Sequence, residues 1–195
     1  MAATLEFFFD YGSPTTYLAD TQIEALAERS GAKLVYRPML LGGVFKATGN
    51  RSPVEVPAKG VYMGADMARF AKRYGVPMNM NPFFPVNTLP LMRGAVVAQH
   101  DGFFAAYQKA MFRAMWVDEK DMNDPAVIGE VVSAAGIDVT SLLKRTGEQD
   151  IKDELKATTE EAVNRGAFGA PTFFVGDEMF FGQDRLEFVE AVLSG

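Results

Sequence analysis

Apolar positions along this chain follow two rhythms. At Thr4 to Tyr11 (TLEFFFDY) a short aromatic-rich run predicts a buried strand. From Pro14 onward, Tyr17, Leu18, Ile23, Leu26 and Ala27 recur near helical spacing, and Ser30-Gly31 ends the pattern. Ala32 to Met39 (AKLVYRPM) reads as a second strand with Pro38 near its end, where the missing N–H is tolerated. Strand, helix and strand in this order predict a βαβ unit with parallel strands and a right-handed crossover.

The middle of the chain changes character. LLGGVFKATGNRSPVEVP is rich in Gly and Pro and predicts a loop with a short helix at Leu41 to Thr48. Ala58 to Tyr74 is helical and closed by Gly75-Val76-Pro77. MNMNPFFPVNTLP is irregular, because Pro82, Pro85 and Pro90 forbid regular structure. A helical stretch then runs from Thr88 to Met115 with a break at Asp101-Gly102. Asp124-Pro125 caps a short helix, and another spans Glu148 to Arg165.

The last thirty residues return to the opening rhythm. They predict a strand at Thr172 to Val175, a tight Gly-Asp turn, a strand at Met179 to Phe181, a turn at Gly182 and a helix from Asp184. The order is βαβ, a block of helices, then ββα, without internal repeats or low-complexity segments.

Composition narrows the chemistry. The formal net charge of −6 argues against a nucleic-acid footprint, although a local basic pocket for a small anion remains compatible with it. No stretch reaches the roughly 18 continuous apolar residues of a membrane span, and the first residues lack the pattern of a signal peptide, so a cytoplasmic protein is expected. The sequence has no cysteine, which excludes disulfides, thiolate metal sites and cysteine nucleophiles. With His100 as the single histidine, a Ser-His-Asp triad or a His-rich metal site is not expected, and no metal is called for. His100 itself reads as a structural or surface residue.

Three short segments carry candidate chemistry. Ser13-Pro14 opens the first helix: Ser13 is an ordinary N-cap with Pro14 at the first helical position, or it marks an anion site at the positive end of a helix. In GAPT, Pro171 stands at the start of a strand. A trans bond would make it an ordinary edge residue, and a cis bond would turn the Ala170 backbone toward an extended peptide ligand. In GQDR, Asp184 is either the N-cap of the final helix or, with Gln183, a corner that binds the ammonium or carboxylate of a ligand.

Taken together, the element order resembles an α/β, thioredoxin-like fold (βαβ…ββα) with a large α-helical insertion: thioredoxin-like parts at about 1–40 and 166–195, and the insertion at about 41–165. FDYGSPTTYLA, FKATGN, RYGVP, MFRAMW and FGAPTFFVGDEMFFGQDRL resemble the 2-hydroxychromene-2-carboxylate isomerases, relatives of kappa-class glutathione transferases and, more distantly, of DsbA-type oxidoreductases. The likeness spans essentially the whole chain.

The resemblance implies a cytoplasmic, glutathione-dependent enzyme of aromatic catabolism, a homodimer like its relatives. It would interconvert 2-hydroxychromene-2-carboxylate, or a related aromatic acid, and open-chain trans-o-hydroxybenzylidenepyruvate. Transient thiolate addition makes a conjugated bond rotatable, and elimination returns the thiol. Ser13 stands where the redox cysteine of thioredoxins does, and the thiol is borrowed from glutathione. A free thiol has a pKa near 8.5, so a hydroxyl donor and a helix N-terminus would both favour its thiolate. Thiol-disulfide exchange falls away, because it needs a protein thiolate.

The same resemblance puts Ala170, before Pro171, against the cysteinyl unit of glutathione, and Phe181, Gly182, Gln183 and Asp184 against its γ-glutamyl end. Lys46 would meet a substrate or glycyl carboxylate, or is simply a solvated lysine. Phe83, Phe84, Asn87 and Trp116 would wall an aromatic substrate pocket, or are simply core. The segment NRSPVEVPAKG is shorter and less polar than the family pattern, NPFFPVNT has Phe where Tyr is expected, and Gln183 replaces Asn. A kappa-type glutathione transferase or peroxidase is the alternative, and an idle thioredoxin-fold binding module a third reading.

Overall fold

The computed structural model describes residues 2–195. Its first unit is β1 (Thr4–Phe9), α1 (Pro14–Arg29) and β2 (Lys33–Pro38), with β1 and β2 paired in parallel as the sequence predicts. The last is β3 (Thr172–Val175), β4 (Glu178–Phe181) and α9 (Leu186–Ser194). β3 runs antiparallel to both β1 and β4, so the sheet order is β2-β1-β3-β4. This mixed sheet and its flanking helices form a thioredoxin-like fold, with the helical block inserted between β2 and β3.

That block contains α2 (Leu41–Thr48), α3 (Pro57–Tyr74), α4 (Leu89–Asp101), α5 (Phe104–Trp116), α6 (Pro125–Ala134), α7 (Val139–Thr146) and α8 (Gln149–Asn164). The break expected at Asp101-Gly102 is real: Gly102 sits at φ 83° and separates α4 from α5. Two expectations need correction. The sequence reading omits α7, although Asp138 caps it by accepting from Ser141 N–H at 3.0 Å. Asp184 does not cap the last helix: it lies inside a single 3₁₀ turn, Gln183–Arg185, and its carboxylate pairs with Arg185 at 2.8 Å.

Alternation along β1 explains why both faces of the sheet are covered. Leu5, Phe7 and Phe9 point into the larger core with α1, α4 and α5, while Phe8 points the other way into a smaller core containing Met39, Val44 and Ala162. The antiparallel register sets Phe7 against Phe173, with ring centroids 5.2 Å apart. Each fully buried Phe contributes on the order of 2–3 kcal/mol by removing apolar area from water. Leu40 N–H donates to Thr159 Oγ1 at 2.9 Å, tying the start of α2 to α8 on the second face.

Candidate active site

β1 must end before Ser13, because Asp10 leaves the ladder to organise the turn that follows. The Asp10 side chain is fully buried and accepts three hydrogen bonds: from Gly12 N–H at 2.8 Å, Leu41 N–H at 2.7 Å and Thr88 Oγ1 at 3.0 Å. It therefore fastens the turn to the starts of α2 and α4. Burial pushes its pKa above the usual carboxylate range, and the three donors oppose that rise. Gly12 is required for close approach, since a Cβ there would lie 2.9 Å from Thr88 Cγ2.

From behind, the indole of Trp116 donates to Tyr11 O at 2.8 Å. Trp116 is completely buried, so its ring supports the turn instead of facing solvent. Phe84 packs on it at 5.9 Å between centroids, next to a cis Phe84-Pro85 bond.

Ser13 is the N-cap of α1: Thr16 N–H donates to its Oγ at 3.2 Å. The cap and the ligand readings use one geometry, because the same hydroxyl also donates to Ala170 O at 3.0 Å across 157 residues of sequence. Thr15 Oγ1 lies 3.1 Å from Ser13 Oγ and 3.3 Å from Ala170 O. Two hydroxyls at the positive end of α1 thus share one carbonyl acceptor. Sequence reading passes over Thr15. A second hydroxyl at the second helical position is the signal that could have found it.

The Ala170-Pro171 bond is cis. The Ala170 carbonyl accepts from both hydroxyls, whereas its N–H has no acceptor among the described residues. Gly182 N–H donates to Pro171 O at 3.0 Å, which brings the GQDR corner against the cis-proline loop. Gln183 is buried, and its carbonyl accepts from Tyr74 Oη at 3.3 Å. Phe181 is 40% exposed and packs against Phe168 in a tilted pair with centroids 4.5 Å apart, leaving apolar surface beside the loop. Asn50 Nδ2 donates to Phe168 O at 2.8 Å, tying the end of the FKATGN segment to the same loop. Sequence reading names that segment but not Asn50.

Ser13, Ala170, Pro171, Phe181, Gly182, Gln183 and Asp184 therefore form one continuous region. The four positions expected at a substrate wall and Lys46 are less gathered. Lys46 is exposed on α2 and has no ion pair among the described residues. Phe83 is 46% exposed, while Asn87 accepts from Leu89 N–H at 3.3 Å and so helps to start α4. His100 pairs with Glu154 at 2.7 Å on the surface. Among the described residues no helix is long and apolar enough to cross a membrane, and no three His, Asp or Glu side chains are grouped to hold a metal.

A four-stranded mixed sheet with a hydroxyl-bearing helix start facing a cis-proline defines a class, and comparison with known proteins agrees. The chain belongs to the DsbA-like thioredoxin-domain family, whose pattern matches residues 4–194. Within that family it is 33% identical over 198 residues to the 2-hydroxychromene-2-carboxylate isomerase of Sphingobium xenophagum, covering 99% of each chain. It is also 28% identical to human glutathione S-transferase kappa 1, over 97% of this chain and 90% of that one. A solved 2-hydroxychromene-2-carboxylate isomerase superposes with a TM-score of 0.87 at 28% identity, covering 97% of this chain and 94% of the other. Pseudomonas aeruginosa DsbA, at 16% identity and a TM-score of 0.62, shares the fold.

Proposed function

We propose that this chain is a glutathione-dependent isomerase that interconverts 2-hydroxychromene-2-carboxylate, or a related aromatic acid, with trans-o-hydroxybenzylidenepyruvate. The observation that carries the reading is the meeting of Ser13 Oγ with Ala170 O at 3.0 Å, at the N-terminus of α1 and beside a cis-proline. Isomerases of that name at 30–33% identity over nearly the whole chain supply the reaction.

The donor set fits glutathione. Two hydroxyls and a helix N-terminus suit a sulfur anion, and the unpaired Ala170 N–H suits an extended peptide backbone. Glutathione supplies the thiolate that a cysteine-free chain lacks, its reversible addition making a conjugated double bond rotatable. Ser13 holds the thiol in its charged form by hydrogen bonding, and it is not itself a nucleophile, because no base lies on its hydroxyl. Thr15 keeps Ala170 O paired when the Ser13 proton turns to the sulfur. Ala170 aligns the cysteinyl backbone, and Phe181 to Asp184 hold the γ-glutamyl end. Asp10 fixes the turn, and its three donors spread its charge away from the thiolate.

Lys46 and the aromatic residues Phe83 and Phe84 complete the reading as contacts for the carboxylate and rings of the substrate, with Asn87 at the same edge and Trp116 as their backing. The test is direct. Protein plus glutathione should accelerate equilibration of 2-hydroxychromene-2-carboxylate without consuming glutathione, followed by absorbance of the open-chain product. An unchanged rate refutes the assignment. The full-length likeness to kappa transferases favours a second reading, transfer to other electrophiles or peroxidase activity, for which stoichiometric loss of glutathione is the signature.

A further inference from the structure

A second cavity lies further along α1, and none of the residues assigned above lines it. It measures about 430 Å³ and opens between α1, β2 and α5. Seven residues separate Ser13 from Asp20, which at 1.5 Å rise per residue is about 10 Å along the helix. The rings of Tyr17, Tyr36, Phe104 and Phe112 form its apolar walls, with Tyr36 and Phe104 centroids 4.9 Å apart.

The polar groups around these rings are nearly all spent. Tyr17 Oη donates to Pro77 O, and Tyr36 Oη donates to Glu24 Oε1 at 3.1 Å. Gln108 uses both ends of its amide: its Oε1 accepts from Tyr11 Oη at 2.7 Å, and its Nε2 donates to Asp20 Oδ1 at 2.8 Å. Asp20 Oδ2 remains without a hydrogen bond among the described residues, on a half-buried side chain that lines the cavity. Glu24 stands one turn further along the same wall, so the two carboxylates face the cavity together.

We propose that this cavity is a binding site for a small organic ammonium ion, its charge on Asp20 and Glu24 and its apolar body among the four rings. Two carboxylates on one wall of an aromatic-lined cavity favour a cation, and aromatic faces attract cations as well as apolar groups. Two carboxylates are too few to cage a metal, and no third metal-binding side chain joins them among the described residues. The chain's own cations do not fill the role: Arg113 is held by Asp118 in a two-pronged pair at 3.0 Å, and Lys109 is exposed and forms no ion pair among the described residues.

Burial raises the Asp20 pKa to about 7, with Glu24 pushing the same way and the Gln108 bond opposing. The other groups facing it are Tyr17 on α1, Tyr36 on β2, Tyr11 after β1, and Lys109 and Arg113 on α5. Asp20 takes up a proton as pH drops through about 7, so affinity for the ammonium falls there.

Titration with phenethylammonium, read by calorimetry and by NMR shifts of the Tyr36, Phe104 and Phe112 rings, tests the site without glutathione or substrate. Binding should weaken at least tenfold in Asp20→Asn, which keeps the acceptor for Gln108, and a few-fold in Glu24→Gln. It should also weaken at least tenfold for the neutral 2-phenylethanol, and weaken from pH 8 to pH 5.5. Equal binding of the alcohol, preference for 3-phenylpropionate, unchanged affinity in Asp20→Asn, or no response to phenethylammonium at millimolar concentration would each overturn the proposal. Because no arm uses the isomerase reaction, failure here leaves the active-site reading standing.

Discussion

The two stations along α1 handle charge in opposite ways. At Ser13 the helix begins, its free N–H groups and two hydroxyls offer hydrogen bonds, and the nearby carboxylate of Asp10 is answered by three donors. Near Asp20 the helix has lost its terminal field, two carboxylates stand on one wall, and Asp20 keeps one oxygen unanswered. Both carboxyls have raised pKa values for the same primary reason, burial. What differs is burial and satisfaction together: the fully buried, saturated Asp10 is a structural fastener, and the half-buried Asp20 with its free oxygen is an electrostatic opening.

Substitutions can break that contrast. The largest effect is expected at Asp10→Leu, which strands two backbone N–H groups and the Thr88 hydroxyl. Urea unfolding should show a loss on the order of 3 kcal/mol at ordinary costs per unmet donor. A loss below about 1 kcal/mol would mean that the fastener is dispensable.

Next comes Ser13→Ala. Thiolate absorbance of bound glutathione should show its pKa rising by about one to two units, equivalent to roughly 10- to 100-fold in activity if the thiolate is the reacting form. The lost cap should cost about 1 kcal/mol besides. An unmoved thiolate titration would leave Ser13 as a cap alone.

Asp20→Asn sharpens the other side of the comparison. In the folded chain the Asp20 carboxyl holds its proton up to about pH 7, whereas in the unfolded chain it loses it near pH 4. The folded state thus binds more protons across that window, and its stability declines as pH rises from about 4 to 7. The melting temperature of Asp20→Asn relative to the wild type should therefore climb across that range, as scanning calorimetry would show. Isomerase activity should stay within about twofold, because Asp20 is remote from the reacting groups. A parallel pair of pH profiles would contradict the assignment. The smallest effect is expected for Thr15→Val, a few-fold loss of kcat restored by Thr15→Ser.

Much of this architecture could be read from sequence because its signals are local. Helix starts at Pro14 and Pro125 and stops at Gly75 and Gly102 lie where caps and breakers place them. α7 escaped because it is eight residues long, opens with β-branched Val139-Thr140 and buries Leu142 alone. Asp184 misled because an acid before a helix reads as a cap, yet an intervening 3₁₀ turn moves it off the helix end. Ser13, Ala170 and Gly182 were legible through family motifs. The partners of Asp10 were not, since Leu41 and Thr88 lie 31 and 78 residues away and nothing local announces them. Thr15 was obscured because a threonine beside a cap has ordinary reasons to be there.

The antiparallel pairing of β1 with β3 has a consequence for the timing of biogenesis. Ser13 is synthesised 157 residues before its partner Ala170. Until those residues are made, the helix start exists without the loop opposite it. Only when β3 inserts beside β1 do the hydroxyls gain their carbonyl, so a nascent chain that stops short of β3 carries the helix start without the acceptor that orients its hydroxyls.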